Sequence, residues 1–269
     1  MNIIRIGIDI AKHVFYLHGV DAQGNTALRK KLQRHDLLAF FARLAPCLIA
    51  MEACSGSHYW GRELRKQGHD VRLISPQFVV AYRNNQKNDY NDAQAICEAA
   101  SRANMRFVAI KSEEQQAALM VHRIREQCIA ERTSKANQIR GHLHEFGVVV
   151  PQGVTKIIAL LPPLLENDSN LPALLKSLLR DLLDDIHHIN QRVDALDKQI
   201  NAFVKNNDTA TRLMTIAGIG PITASALVAT TGDPHLFKNS RQFSAWLGLV
   251  PKQFSSGGKT KLGRITKAG

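Results

Sequence analysis

The chain has 269 residues, of which 45% are hydrophobic and 22% are charged. These proportions are those of globular proteins and exclude a disordered tail protein. No run of about 18 apolar residues occurs, and the N-terminus lacks a basic segment followed by a long apolar one, so we expect neither a membrane span nor a signal peptide. The cysteines have neither zinc-ligand nor paired spacing, which favours a reducing cytoplasm over a disulfide scaffold. They are Cys47, Cys54, Cys97 and Cys128.

The chain is strongly basic: 35 Lys and Arg residues oppose 23 Asp and Glu residues, a net charge of +12. This excess favours a polyanionic partner, because each neutralised phosphate releases counterions. The alternative is a basic surface without such a partner. The charge is concentrated in residues 238–269, which contain no acidic residue. The basic residues there are Lys238, Arg241, Lys252, Lys259, Lys261, Arg264 and Lys267.

The first 110 residues alternate between strand and helix patterns. Three strands joined by tight turns are predicted over 3–10, 13–20 and 26–32. They are followed by a helix over 35–44, a strand over 47–51, a helix over 58–67, a strand over 71–74 and helical segments over 77–85 and 92–103. Three meandering strands followed by alternating helices and strands is the order of a ribonuclease H-like α/β fold.

The middle of the chain is predicted to be helical. A long polar helix over 113–146 is followed by a proline-rich loop that contains Pro151, Pro162, Pro163 and Pro172. Apolar residues then recur alternately every four and three positions from Leu175 to Phe203, which predicts a helix with an apolar seam in a coiled coil. Its partner would be the earlier helix, antiparallel, or a second copy; alternatively, it is one amphipathic helix on a globular core. We therefore expect domains over 1–112, 113–206 and 207–269.

Four carboxylates in the first domain are candidate metal ligands. Asp9 ends the first strand and Glu52 follows the fourth, and these strands are adjacent in a ribonuclease H-like sheet. Asp89 and Asp92 lie three residues apart at a helix start and therefore share one face. Together the four would bind one or two Mg²⁺ ions able to clamp a phosphodiester. Alternatively, Asp89 and Asp92 are only helix N-terminal carboxylates favoured by the helix dipole.

Residues 213–227 have the pattern of a helix-hairpin-helix. Gly218 and Gly220 precede a helix predicted to begin near Pro221, so backbone N–H groups could approach a DNA phosphate at its positive end. The alternative is a plain tight turn between two core helices.

Residues 248–259 contain a serine in a glycine-rich, basic segment. A Walker A motif is excluded because Gln253 stands where its first glycine is required. Ser256, in a flexible loop, could attack phosphorus while nearby cations stabilise the transition state. The alternative is an ordinary loop without a catalytic role. The cations are Lys252, Lys259, Lys261 and Arg264.

Seven motifs in this order resemble the insertion-sequence 110 family of DEDD transposases, over essentially the whole chain; pilin-gene invertases share the pattern. They are GIDIAK (7–12), MEA (51–53), KNDYNDA (87–93), GIGP (218–221), GLVP (248–251), SSGGK (255–259) and GRITK (263–267). The resemblance implies a RuvC-like domain, a coiled coil and a mainly α-helical C-terminal transposase domain. It also implies that Asp9, Glu52, Asp89 and Asp92 hold Mg²⁺ or Mn²⁺ and that Ser256 is the nucleophile, with Ser255 as the alternative.

The resemblance further implies an enzyme that cleaves and rejoins donor and target DNA to move its own element, guided by a noncoding bridge RNA. A dimer or tetramer formed through the coiled coil would pair one protomer's carboxylates with another's serine. Alternatives are a junction-resolving nuclease that uses water, a site-specific DNA invertase and a non-enzymatic nucleic-acid-binding scaffold. Family members continue beyond residue 267, so we expect the C-terminal domain to be truncated at Gly269. Residues expected to grip the RNA are Arg123, Arg132, Lys135 and Arg140.

Overall fold

The computed structural model describes residues 2–83, 88–167, 170–232, 234 and 237–266. The chain separates into two compact units, Met1–Thr230 and Thr231–Gly269. Residues 207–230 therefore belong to the first unit. The domain boundaries after 112 and 206 stay predictions.

The first unit is built on a six-stranded sheet. Its strands are β1 (Arg5–Ile10), β2 (Val14–Val20), β3 (Thr26–Gln33), β4 (Leu48–Glu52), β5 (Asp70–Ile74) and β6 (Phe107–Val108). They lie in the order β3-β2-β1-β4-β5-β6. β1 and β5 each pair with β4 in parallel, and the other neighbours are antiparallel. The five predicted strands and the mixed α/β class are confirmed, β6 was not predicted, and the order is compatible with a RuvC-like domain.

Helices cover both faces of this sheet. They are α1 (Leu37–Phe41), α2 (Ser57–Lys66), α3 (Pro76–Val79) and α4 (Asp89–Ala99). One core lies between the sheet and α1 and α2 and contains Ile6, Ile8 and Trp60. The other contains Ala50 and Ile96 beneath α4. Successive strand residues point to opposite faces, so β4 contributes Ile49 to the first core and Ala50 to the second.

The helix predicted over 77–85 is shorter than expected. It consists of the one-turn α3 and a 3-10 turn over Val80–Tyr82. Residues 84 and 85 of that prediction, like Lys87 of the KNDYNDA motif, lie outside the described residues.

Two long helices form an antiparallel pair, α5 (Glu113–Glu145) and α7 (Ala173–Lys205). Arg125 of α5 contacts Asp197, whereas Lys135, further along α5, contacts the earlier Asp185. The helices therefore run in opposite directions. A capping box on Ser112 begins α5.

The buried stripe of α7 departs from the predicted seam at its ends. The predicted positions from Ile186 to Ile200 are buried, but Leu183 and Val204 are buried where Leu182 and Phe203 were predicted. A straight helix of 3.6 residues per turn drifts toward later residues relative to a 3.5-residue repeat, and the shift from Phe203 to Val204 has this direction. The predicted coiled-coil geometry stays a prediction.

The predicted proline-rich loop was partly wrong, because α6 (Val154–Asn167) contains Pro162 and Pro163. Each interior proline costs about 3 kcal/mol in a helix. Ile157, Leu161 and Leu165 are buried against α5 and α7, and full burial contributes about 2 kcal/mol for each such side chain. Apolar burial therefore offsets the cost of the prolines.

The last helices of the first unit are α8 (Asp208–Leu213) and α9 (Pro221–Thr231), whose final residue is the first of the second unit. The predicted break at residues 206–208 is confirmed, since the Asn207 side chain caps α8 by accepting a 2.9 Å hydrogen bond from the Ala210 N–H. α9 begins at the predicted Pro221 and contacts α5 where His122 Nε2 and Ser225 Oγ lie 2.9 Å apart. Within the described part of the chain, no helix has the length and apolar character to cross a membrane.

The second unit contains α10 (Ser240–Trp246) and a hairpin of β7 (Pro251–Ser256) and β8 (Lys259–Ile265). Trp246 of α10 packs against Phe237 and Phe243. The flexible loop predicted around Ser256 is wrong, because these residues form a regular two-stranded ribbon.

Candidate active site

Asp9 and Glu52 lie at the adjoining ends of two parallel strands. The last paired positions of β1 and β4 are Ile8 and Met51, and Asp9 and Glu52 are the next residue of each strand. Equivalent positions of paired strands share a face, so both carboxylates point to the face covered by α4. Both side chains are partly exposed. The predicted strand adjacency is confirmed, and we call this region the carboxylate edge.

A close contact between β1 and α4 sets the position of that helix. A Cβ atom added at Gly7 would lie 2.2 Å from the Ala93 carbonyl oxygen and 2.5 Å from the Cys97 backbone nitrogen. Cys97 Sγ also lies 3.9 Å from the Arg5 carbonyl oxygen. Since later residues of α4 lie over earlier residues of β1, the N-terminus of α4 extends toward Asp9.

Ring contacts place the first turn of α4 beside the carboxylate edge. Tyr16 is paired with Asp9 across β1 and β2, and its ring lies 4.8 Å from that of Tyr90 on α4. Tyr90 directly follows Asp89, which is exposed. Asp89 therefore lies in the turn that covers the strand ends.

Asp92 has a different environment from Asp89. It is 7% exposed, and Arg83 Nε lies 2.5 Å from its Oδ1 in an ion pair without hydrogen-bond alignment. The Asn88 side chain caps α4 by accepting a 3.0 Å hydrogen bond from the Asn91 N–H. The first-turn carboxylates are also favoured by the helix dipole.

The Cys54 thiol lies near both Asp9 and Glu52. Burial raises the pKa of this thiol, and the charges of Glu52 and Asp9 raise it further. Both carboxylates therefore act on one partly buried group in the loop that follows β4. The thiol is held mainly in its neutral form.

The donor chemistry of this edge suits a hard divalent cation, since carboxylate oxygens are the ligands that Mg²⁺ prefers. Asp9 and Glu52 supply two such groups side by side. Among the described residues, however, no group of three or more His, Cys, Asp or Glu side chains is arranged to hold a metal ion. The structure therefore brings Asp9 and Glu52 together and places Asp89 and Asp92 on the covering helix, without a complete ligand set.

A cluster of basic groups lies where α2 meets the start of α5. Arg62 Nη1 donates hydrogen bonds to the Lys111 carbonyl oxygen at 2.8 Å and to Gln116 Oε1 at 2.6 Å. The Lys111 N–H donates to His58 Nδ1 at 3.2 Å. Burial, followed by the charges of Lys111, Arg62 and Arg123, lowers the pKa of His58 to about 4. Burial and the charge of Arg123 also lower the pKa of Lys111.

Two of the basic residues that were expected to bind RNA form contacts with α7 and do not point only to solvent. Arg132 Nη1 donates a 2.8 Å hydrogen bond to Asn190 Oδ1. Lys135 Nζ lies 2.6 Å from Asp185 Oδ2. Both side chains therefore also connect the two long helices.

The other two basic residues on α5 differ in exposure. Arg123 is exposed and Arg140 is half-buried. Arg140 Nη2 donates to Asn137 Oδ1 at 2.5 Å, and Arg140 lines a cavity of about 390 Å³ with His144 and Val149. Arg123 is thus the more accessible cation.

The turn before α9 leaves the backbone open. Gly218 has a φ of +88°, and a Cβ atom at Gly218 or Gly220 would meet no atom within 4 Å. The positive φ explains the first glycine, since other residues adopt that conformation at a cost. Space around both glycines is compatible with an approaching backbone or phosphate.

The serine hairpin has a two-residue turn. Gly257 and Gly258 have φ values of +55° and +79°, as a type I′ turn requires. Ser256 is the last residue of β7 and is paired with Lys259, the first residue of β8. All residues of both strands are exposed.

The hairpin register distinguishes the two candidate serines. Ser256 shares its face with its partner Lys259 and with Phe254, which is paired with Lys261. Ser255 lies on the opposite face, where its Oγ accepts a 2.7 Å hydrogen bond from Gln253 Nε2. A Cβ atom at Gly263 would lie 3.5 Å from Lys252 Cβ, which places Lys252 on the Ser256 face.

Sequence reasoning did not anticipate several residues that position this site. The signal for Gly7 was available, because a glycine inside an apolar strand often marks a close backbone approach. The pairing of Asp92 with Arg83 and the contact of Tyr16 with Tyr90 depend on tertiary packing and had no such signal. The mixed sheet and its covering helices are compatible with a RuvC-like domain, which is a class of nucleic-acid-processing domain.

Comparisons with known proteins identify the family to which the chain belongs. Residues 6–148 match a DEDD transposase family of IS110 elements, described as Transposase, and residues 210–269 match Transposase IS116/IS110/IS902 family. The chain is 48% identical to a probable family 20 transposase of Pseudomonas aeruginosa, over 100% of this chain and 80% of that protein. It is 41% identical to the transposase for insertion sequence element IS1328 of Yersinia enterocolitica, again over 100% and 80%. It is 39% identical to the transposase for IS1111A of Coxiella burnetii, over 98% and 73%.

The chain therefore belongs to the IS110/IS116/IS902 family of transposases. The family resemblance identified from the sequence motifs is confirmed. The protein is a transposase, an enzyme of DNA recombination and transposition.

Proposed function

We propose that this transposase cleaves and rejoins the DNA of its insertion sequence through a covalent bond to Ser256, with Asp9, Glu52, Asp89 and Asp92 holding Mg²⁺ or Mn²⁺. The observation that carries the proposal is the placement of Asp9 and Glu52 at adjoining strand ends beneath the first turn of α4. A divalent ion bound by such carboxylates supplies Lewis-acid polarisation of a phosphodiester.

The hairpin register supports Ser256 over Ser255 as the nucleophile. Attack by Ser256 Oγ forms a bond to phosphorus, and the deoxyribose oxygen leaves and takes up a proton. Lys259 and Lys261, which share the Ser256 face, would neutralise the charge that develops on the phosphate oxygens. A DNA hydroxyl then attacks phosphorus and displaces Ser256 Oγ, which takes up a proton, so two transesterifications complete one strand exchange and leave the enzyme unchanged.

The proposal extends to the partners of the reaction. Donor and target DNA and a noncoding guide RNA would bind the basic surface, which includes the exposed Arg123, together with Arg132, Lys135 and Arg140. Gly218 and Gly220 would approach a DNA phosphate in a helix-hairpin-helix, and Arg264 would add charge to the hairpin. The pairing of α5 with α7 would extend into a coiled coil that joins protomers into a dimer or tetramer in the cytoplasm.

A second candidate function is a junction-resolving nuclease that uses water. It is favoured by one observation: all four carboxylates belong to the first unit, whereas the serine hairpin belongs to the second. Such an enzyme would not need Ser256.

The two functions are separated by Ser256→Ala and its matched control, Ser255→Ala. If Ser256 is the nucleophile, Ser256→Ala should lower strand cleavage and joining of the element's DNA by at least about 10³-fold. Ser255→Ala should retain most activity, because its hydroxyl lies on the other face. Cleavage that persists in Ser256→Ala without joined product would favour the nuclease.

A further inference from the structure

A row of side chains crosses the sheet on the same face as the carboxylate edge. Lys31 of β3 is paired with Tyr16 of β2, and Tyr16 is paired with Asp9 of β1. Directly paired residues point to one face. Lys31, Tyr16 and Asp9 therefore form one line that continues to Glu52 and leads from the exposed sheet edge to the carboxylates.

Arg29 adds a second cation to this line. It lies two residues before Lys31 on β3 and thus on the same face. Its guanidinium carbon lies 4.5 Å from the centre of the Tyr90 ring, and Lys31 Nζ lies 5.7 Å from the centre of the Tyr16 ring. The Tyr16 and Tyr90 rings are in contact. The aromatic pair holds both cations toward the first turn of α4.

Both cations are available to an external anion. Arg29 and Lys31 are exposed. Within the described ranges, neither forms an ion pair with an acidic side chain. We call these two residues the cationic strip.

Edge-strand protection does not account for the position of the strip. β3 is an edge strand, and charged residues on such strands prevent pairing with other chains. Lys30 serves that purpose equally well, but it points to the opposite face, where its Nζ lies 4.8 Å from the centre of the Phe40 ring. Arg29 and Lys31, in contrast, lie in line with the carboxylates.

The spacing of the row fits a nucleic-acid backbone. Strands in a sheet lie about 4.8 Å apart, so two strand spacings place Lys31 about 10 Å from Asp9. Successive phosphates of a DNA strand are further apart than the axial rise of about 3.4 Å per nucleotide, because the backbone winds around the axis. A strand with its reacting phosphate at the carboxylates would thus present a phosphate to the strip within fewer than three nucleotides.

We propose that Arg29 and Lys31 bind backbone phosphates of the DNA strand that enters the carboxylate edge. This inference rests on the proposed function, because it takes the reacting phosphate to lie at Asp9 and Glu52. The strip guides and holds the strand, and it makes no contact with the bond that is cleaved.

The test compares two double variants, each of which removes one arginine and one lysine from one face of the six-stranded sheet. The strip variant is Arg29→Gln/Lys31→Gln. The matched control is Lys30→Gln/Arg34→Gln, whose cations lie over the Phe40 and Trp60 rings on the opposite face. Binding of a fluorescent single-stranded DNA oligonucleotide and its duplex is measured by anisotropy over a range of salt concentrations, with full-length protein. The charge-keeping variant Arg29→Lys/Lys31→Arg separates charge from folding.

The strip variant should bind the DNA probe about 8-fold more weakly at 0.1 M salt for each phosphate that it no longer neutralises, with a salt slope shallower by about 0.9 per phosphate. The control and the charge-keeping variant should bind like the unaltered protein. Three results would overturn the proposal. The strip variant and the control could lose DNA affinity equally, or both could bind DNA normally. The third is that the strip variant loses affinity only for an RNA probe of the same sequence.

Failure of the strip is distinguishable from failure of the proposed function. Asp9→Asn should lower strand cleavage about 10²- to 10³-fold without weakening the binding of the DNA probe. If Asp9→Asn cleaves at the rate of the unaltered protein, the role of the carboxylate edge is wrong, whatever the strip variant shows. If Asp9→Asn loses cleavage as expected and the strip variant binds DNA normally, only the strip is wrong.

Discussion

The carboxylate edge and the serine hairpin are held in place by different means. Asp9 is the penultimate residue of β1 and Glu52 is the last residue of β4, and the residues before them, Ile8 and Met51, are fully buried. Ser256 ends a strand in which all residues are exposed. The position of the carboxylates is thus a consequence of the core, whereas the surroundings of Ser256 follow from the register and turn of one hairpin.

The two regions therefore differ in their sensitivity to substitution. An isolated two-stranded hairpin is marginally stable in water, so the serine hairpin is expected to gain order when it binds DNA or another protein surface. The carboxylate edge is organised before any ligand binds. Packing changes should therefore affect stability and activity together at the first region, and activity alone at the second.

The largest expected effect comes from neutralising the carboxylate edge. Asp9→Asn and Glu52→Gln keep the side-chain shape but remove the charge, so each should lower strand cleavage about 10²- to 10³-fold while folding is retained. Cleavage of the element's DNA in Mg²⁺ measures this effect, with circular dichroism as the test of folding. The control is Glu98→Gln, on the exposed face of α4. Full activity in both neutral variants would exclude a catalytic role for the edge.

Gly7→Ala should show that packing places the carboxylates. Its methyl group would lie 2.2 Å from the Ala93 carbonyl oxygen, and overpacking of a core costs about 1–3 kcal/mol. Because α4 must move away from β1, activity should fall as well. Gly141→Ala is the matched control: no atom lies within 4 Å of its added Cβ, and the mid-helix change should stabilise the protein by about 0.5–1 kcal/mol. Urea denaturation measures both; an unchanged midpoint in Gly7→Ala would contradict the close contact.

A smaller effect is expected at the hairpin turn. Gly257→Ala places an alanine at a φ of +55°, at a cost of about 1–2 kcal/mol. Gly257→Asn should be tolerated, because asparagine is favoured in type I′ turns. Strand joining should therefore fall in the alanine variant and be retained in the asparagine variant, while the thermal midpoint changes little in both. Equal activity of the two variants would show that the turn does not position Ser256.

The smallest effect concerns the pH dependence of stability near α2. The pKa of His58 is lowered from 6.5 to about 4, so between these values the unfolded chain takes up a proton that the folded chain does not. The contribution of His58 to the free energy of unfolding is therefore fully present above pH 6.5 and is lost as the pH falls toward 4. His58→Gln should flatten this part of the pH profile of Tm. The exposed His35 provides the control, His35→Gln, and identical profiles in both variants would contradict the role of His58.

The sequence was sufficient for features that depend on local pattern. The apolar runs that contain Ile6, Ile8 and Ile49 predicted β1 and β4, and the strand order then predicted that Asp9 and Glu52 are adjacent. Local pattern failed where tertiary contacts outweigh it. Pro162 and Pro163 indicated a loop, but burial of neighbouring apolar residues keeps them in a helix.

The distinction between Ser255 and Ser256 also needed the structure. Adjacent strand residues point to opposite faces, but which face carries the lysines depends on the register of the hairpin. The Gly257-Gly258 pair is a recognised signal for a two-residue hairpin, so the ribbon itself was predictable. The contacts of Asp92 with Arg83 and of Tyr16 with Tyr90 were not, because the elements that bring these pairs together are defined only by packing.

The most direct measurement is to trap the protein–DNA complex formed with the element's DNA, guide RNA and Mg²⁺, and to map the covalent bond by peptide mass spectrometry. We expect a phosphodiester bond between Ser256 and DNA in the unaltered protein, and no such bond in the Asp9→Asn variant. A bond on Ser255, or DNA cleavage without any covalent bond to the protein, would contradict the account.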